Sequence, residues 1–216
     1  MSASMAKKGT SSCSLPRPFR PSERPETVLL HGSGHLPRLF LAVDLPESAR
    51  RALESIQPRG VPGVRPVVPD QFHLTLHFLG EVDDTAVQPL LRSLDDVPSP
   101  ALTLELAGVG QFPETGIARV LWAGCAENAD LRQLHREMES RLSAAIGYRG
   151  ESRLWLPHIT LARVTSPHKS GLIGDWLAQH GAFRYPPVPL ERWCLYRSDS
   201  GPAGPRYSVV MSRPFG

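Results

Sequence analysis

The chain has 216 residues, 41% of them hydrophobic, with 24 Lys and Arg against 21 Asp and Glu for a formal charge of +3. That length fits one domain or two small lobes, and no apolar run approaches the roughly 20 residues a membrane span needs. The excess charge lies in residues 1–37 (Lys7, Lys8, Arg17, Arg20 and Arg24 against Glu23 and Glu26), so the body is neutral; a protein that tracks long nucleic acid is disfavoured, and any such substrate should be held locally, at an end or a single phosphate.

Residues 1–37 are rich in Ser, Pro, Gly and Arg without an apolar period, and read as a disordered N-terminal extension. No apolar stretch follows Lys7 and Lys8, so a signal peptide is not indicated, and a cytoplasmic protein is expected. Residues 38–216 read as one body. "RLFLAVDL" opens it as a buried strand, and "PESARRALESIQ" follows as a helix with Ala49, Leu53 and Ile56 on one face. "QFHLTLHFLGE" is the next strand. "DDTAVQPLLRSLDDV" is a helix capped by Asp83 or Asp84, with Pro89 placed to kink or restart it.

"ALTLELAGVGQF" and "ARVLWAGC" read as strands. "ENADLRQLHREMESRLSAAIG" is the clearest helix, with Leu131, Leu134, Met138, Leu142 and Ala145 in a stripe and Gly147 to end it. His135 falls outside that stripe and is expected to be solvated. "LPHITLARV" is a strand, "SGLIGDWLAQH" a helix, and "VPLERWCLYRSD" and "PRYSVVMSRPF" close as strands. The order of elements repeats, as expected of a duplicated α+β unit facing its copy.

Each half carries one His-x-Thr-Leu, His73 to Leu76 and His158 to Leu161, 85 positions apart. Alternation along a strand puts His73, Thr75 and His77 on one face and Phe72, Leu74, Leu76 and Phe78 on the other. It likewise puts His158, Thr160 and Ala162 opposite Ile159 and Leu161. Histidine titrates near neutrality, so two facing histidines can divide a displacement at phosphorus, one taking a proton and the other giving one. Two threonine hydroxyls would donate to the non-bridging phosphate oxygens.

No cofactor or metal is expected. Cys13, Cys125 and Cys194 are scattered, and positions 73 and 77 of a strand lie about 13 Å apart, too far for one ion. His77 is a candidate for the cleft wall or the surface. Arg163 alternates away from His158's face and either braces the sheet or reaches the phosphate; Arg197 is a similar candidate. Trp155, Trp193 and Tyr196 are expected in the core rather than stacked on a base. His31 and His35 lie in the extension, with no catalytic role expected.

The chain resembles the 2H phosphoesterase superfamily, and within it the bacterial and archaeal RNA 2′,3′-cyclic phosphodiesterases, historically called 2′-5′ RNA ligases. The likeness is carried by "RLFLAVDLP", "FHLTLHFLGEV", "GVGQFP" followed by "ARVLWAG", "PHITLARV" and "LYRS". It implies a bilobal, pseudo-symmetric α+β fold in which two antiparallel-rich sheets line a central cleft with helices outside. It implies that His73 protonates the leaving 3′ oxygen, that His158 activates water, and that Thr75 and Thr160 hold the phosphate. The implied activity is metal-independent opening of RNA-terminal 2′,3′-cyclic phosphate to a 2′-phosphate, with reversible 2′-5′ ligation, by a monomer acting on RNA ends such as tRNA halves.

Three positions depart from the family pattern: His77 where relatives commonly have Arg or Lys, Leu156 where Arg often precedes the proline, and Pro66 where an aromatic is common. Competing readings are a phosphodiesterase for 2′-5′-linked oligonucleotides and a non-catalytic module binding RNA ends or nucleotides.

Overall fold

The computed structural model describes residues 36–166, 171–201 and 204–216. The expected N-terminal extension, with Cys13, His31 and His35, lies outside the described residues except for Leu36 and Pro37. The elements are β1 (Arg38–Asp44), α1 (Glu47–Ser55), β2 (Val64–Pro66), β3 (His73–Glu81), α2 (Asp84–Asp95), β4 (Thr103–Phe112), β5 (Val120–Cys125), α3 (Ala129–Ile146), β6 (His158–Val164), α4 (Gly171–His180), β7 (Arg184–Pro189), β8 (Arg192–Asp199) and β9 (Arg206–Pro214).

Local chemistry sets the helix ends. Asp83 caps α2 by accepting from Thr85 N at 2.9 Å, and Asn128 caps α3 by accepting from Leu131 N at 2.8 Å. Gly147 ends α3 at φ +66°, a left-handed conformation that costs glycine nothing. α2 runs through Pro89 as one helix. The final run expected as a single strand from Val188 divides into β7 and β8 around Leu190. The proline-rich "RYPPVP" of β7, which alternation did not single out, forms an edge strand, the position proline tolerates.

Every strand pairing is antiparallel, and the strand order is β7-β4-β5-β6-β3-β1-β8-β9 with β2 added on β6. Read from its centre, this order is a mirror: β3 and β6 lie innermost, β1 and β5 next, then β8 and β4, then β9 and β7. The two sheets implied by the sequence are thus two arms of four strands each, the β6 arm carrying β2 in addition. They are joined in one hydrogen-bonded path through a single β3–β6 register pair, Leu74 with Ile159.

The helices cross over as well. α3, which follows β5 of one arm, packs on α2 and on β3 of the other, while α1 reaches β7. Leu41 and Val43 of β1, Leu74 of β3, Ile159 of β6, Leu90 of α2, Met138 of α3 and Trp176 of α4 belong to one continuous core. Truncating a fully buried leucine such as Leu41 or Leu74 to alanine should cost about 2–5 kcal/mol. Among the described residues no helix is long and apolar enough to cross a membrane.

Candidate active site

The two histidines begin their strands in the same way. His73 Nδ1 lies 2.7 Å from the Gln71 carbonyl, and His158 Nδ1 lies 2.8 Å from the Leu156 carbonyl. A carbonyl can only accept, so Nδ1 carries the hydrogen and Nε2 is the basic nitrogen of each neutral ring. Aromatic rings hold both side chains. His73 lies against Phe40 (centroids 5.1 Å) and meets Tyr207 edge-on at 5.5 Å; His158 meets Phe112 edge-on at 4.9 Å.

Past each threonine the strand slips by one residue. Along β1 the partners run from Ala42 with Thr75 to Leu41 with His77, passing over Leu76; along β5 they run from Trp122 with Thr160 to Leu121 with Ala162, passing over Leu161. A bulge of this kind reverses the alternation of the residues that follow it, in β3 as far as a second slip after Phe78. His77 therefore turns away from the face of His73 and is buried, while Phe78 and Arg163 turn onto the cleft face. The burial pattern is the same in both strands over six residues, from His73 to Phe78 and from His158 to Arg163.

The result is a cavity of about 120 Å³ whose walls include Phe40, His73, Thr75, Phe78, Thr160, Arg163 and Tyr207. Arg163 is the one Lys or Arg among the described residues that line it. His158, two residues from Thr160 on the same face, is near enough that its charge disfavours a charge on His73. Burial is the main reason that both imidazoles have pKa values below the ordinary value of 6.5. For His73 the Gln71 carbonyl and the Asp44 carboxylate oppose that fall, while His158 and Arg163 add to it. For His158 the Leu156 carbonyl and Glu151 oppose it.

The surroundings of the two rings differ at one matched position. The β1 residue paired with His73 is Asp44; the β5 residue paired with His158 is Gly124. Asp44 accepts from Arg192 Nε at 2.7 Å and from the Tyr196 hydroxyl, so its carboxylate is fixed in place. A Cβ at Gly124 would stand 2.6 Å from the Ala107 carbonyl oxygen, so no side chain can take the corresponding place beside His158.

Three expectations are corrected by these contacts. His77 is neither cleft wall nor surface: it is 3% exposed, its Nε2 donates to the His135 carbonyl at 2.9 Å, and its ring stacks on His135 at 4.1 Å. His135 is half-buried rather than freely solvated; it is sandwiched between His77 and Trp155 (4.2 Å), and burial with nearby positive charge pushes its pKa down to about 3. Arg197 shares the register of Leu39, on the face away from Phe40 and the cleft, and pairs with Asp199 at 2.9 Å.

Trp193 is fully buried, in keeping with a core role, whereas Tyr196 is half-buried and stacks on Phe40 on the cleft side of the sheet. Sequence reasoning missed Asp44, Phe40, Phe78 and Tyr207. Of these, Asp44 had a signal, a carboxylate ending an otherwise apolar strand. Among the described residues no group of three or more His, Cys, Asp or Glu is placed to hold a metal ion.

A family profile described as LigT like Phosphoesterase matches residues 43–122. The RNA 2′,3′-cyclic phosphodiesterase of Methanocaldococcus jannaschii is 30% identical over 80% of this chain and 98% of its own length; that of Thermus thermophilus is 35% identical over 80% and 87%. A solved structure from Thermus thermophilus superposes with a TM-score of 0.67 at 33% identity, covering 82% of this chain and 97% of that one. Escherichia coli LigT complexed with 3′-AMP superposes at 0.65 with 28% identity, covering 83% and 98%. The chain belongs to the LigT-like phosphoesterases, a family of the 2H type.

Proposed function

We propose, from that membership as premise, that the chain hydrolyses RNA-terminal 2′,3′-cyclic phosphate to a 2′-phosphate without a metal. The observation that carries this reading is the matched pair of bulged His-x-Thr strands, whose His73, Thr75, Thr160 and Arg163 line one cavity. His158 Nε2 takes a proton from water as the water oxygen bonds to phosphorus. The bond from phosphorus to O3′ breaks in line, and His73 Nε2 gives its proton to O3′. The Thr75 and Thr160 hydroxyls donate to the non-bridging oxygens as negative charge builds there, and Arg163 supplies the positive charge that holds the phosphate group in ground state and transition state alike. Turnover leaves His73 neutral and His158 charged, and exchange with solvent restores both.

The Asp44–Gly124 difference supports this division of labour. Asp44 favours the charged form of His73 against the burial that disfavours it, which suits a proton donor. No side chain stands at the matched place beside His158, which suits an acceptor that must be neutral. A 5′-hydroxyl in place of water would lose its proton to His158, displace O3′ in the same way and leave a 2′-5′ linkage, the reverse of cleavage at such a bond.

The test is an oligonucleotide ending in 2′,3′-cyclic phosphate, incubated with the protein in EDTA. The expected product is the 2′-phosphate. A 3′-phosphate product, or turnover that requires added metal, contradicts the reading. A 2′-5′-linked dinucleotide assayed in parallel distinguishes the second activity, and binding of either substrate without turnover would indicate the non-catalytic module.

A further inference from the structure

Apart from tryptophan and cysteine, two polar side chains are buried among the described residues, Gln57 at 8% exposure and His77 at 3%. Both stand at the motif bulges. Burying an amide is unfavourable unless its hydrogen bonds are made, and those of Gln57 are specific. Its Nε2 donates to the Val67 carbonyl at 2.7 Å and to the Leu161 carbonyl at 3.0 Å, while Val67 N donates to the same Leu161 carbonyl at 2.9 Å. Leu161 is the residue passed over in the β5–β6 register, the one whose slip turns Arg163 into the cleft. Gln57 lies just beyond α1 in the first half of the chain, so this contact spans 104 residues of sequence.

We propose that Gln57 is a positioning residue for substrate affinity. Its amide ties Val67 and Leu161 together, which fixes the bulge and thereby the aim of Arg163, without touching substrate. This rests on the reading that the cavity holds a phosphate ester. His158 and Thr160 precede the bulge and are anchored independently, His158 by the Leu156 carbonyl and Thr160 by its pairing with Trp122. Loosening the bulge should therefore move Arg163 more than it moves the reacting groups, and so should act on KM rather than kcat.

Gln57→Leu keeps the size and removes the donor. With a nucleoside 2′,3′-cyclic phosphate, KM should rise about tenfold while kcat stays within about threefold of wild type. In an Arg163→Ala background the same change should raise KM by less than about twofold, because the group it aims is gone. Gln57→Asn keeps an amide one methylene shorter and should fall between, and it carries the test if Gln57→Leu does not fold. An unchanged KM, a loss confined to kcat, or a KM effect undiminished in the Arg163→Ala background would overturn the proposal. If wild type itself does not turn over the cyclic phosphate, the proposed function fails instead.

Discussion

β3 and β6 present one device twice. Each begins with a histidine whose Nδ1–H is tied to the carbonyl two residues back, places a threonine on the same face, and slips one residue so that the fifth position past the histidine enters the cleft. What differs is the cargo. The fifth position is Phe78 in one strand and Arg163 in the other, and the neighbour across the ladder is Asp44 in one and Gly124 in the other. Two matching backbones can therefore hold two unequal histidines, because the inequality comes from side chains outside the motif.

The strongest way to break this comparison is to remove one histidine. His73→Ala and His158→Ala should each lower the rate by about 10²–10⁴-fold, and the double mutant should lose far less than the product, since half a pair has little left to lose. A His158→Ala enzyme near the wild-type rate would mean that the second strand is structural. The threonines come next. Thr75→Ala and Thr160→Ala should cost up to about 10²-fold, toward the lower end of what an oxyanion donor supplies, and should leave both limbs of the pH profile in place because neither hydroxyl titrates. Loss of a limb would show that the hydroxyls act through the imidazoles.

The pH profile sharpens the comparison further. One ring must be charged and the other neutral, so kcat/KM should follow a bell. Burial depresses both imidazoles in the free enzyme, so the maximum should lie on the acid side of 6.5. Asp44→Asn removes the carboxylate that favours the charged form of His73, so the alkaline limb should move to lower pH. If that limb does not move, Asp44 does not distinguish the two rings.

The smallest effect is one of stability. His135 is held near 3 in the folded protein and returns to 6.5 when unfolded. Below 6.5 the unfolded chain binds a proton that the folded one refuses, so the melting temperature should fall as pH drops from 6.5 toward 3. His135→Gln should make that fall shallower, and a melting curve independent of pH in this range would contradict the assignment.

Much of this could be read from the residues. The order of elements was legible from apolar periodicity, and the paired His-x-Thr was legible as a motif. The bulges were not, because strict alternation is the natural reading of "HLTLHF" and "HITLAR", and one extra residue reverses every face after it. That reversal accounts for His77, read with the cleft and found in the core, and for Arg163, read away from His158 and found lining the cavity. One signal was present: alternation would have placed the Arg163 charge on the apolar side with Ile159 and Leu161, an arrangement a core rarely tolerates. His135 escaped because a helical stripe reports one face of one element, whereas its partial burial comes from Trp155 and His77, which are distant in sequence.

The two arms meet at one ladder pair, and that pair is Leu74 with Ile159, each the immediate neighbour of a motif histidine. Phe78 and Arg163 stand four residues farther along the same strands, whereas His73 and His158 stand one residue from that pair. The two imidazoles that the proposed mechanism pairs thus flank the one rung where the backbone joins the two halves of the molecule, so their spacing is tied to a main-chain hydrogen-bonded contact rather than to the reach of side chains.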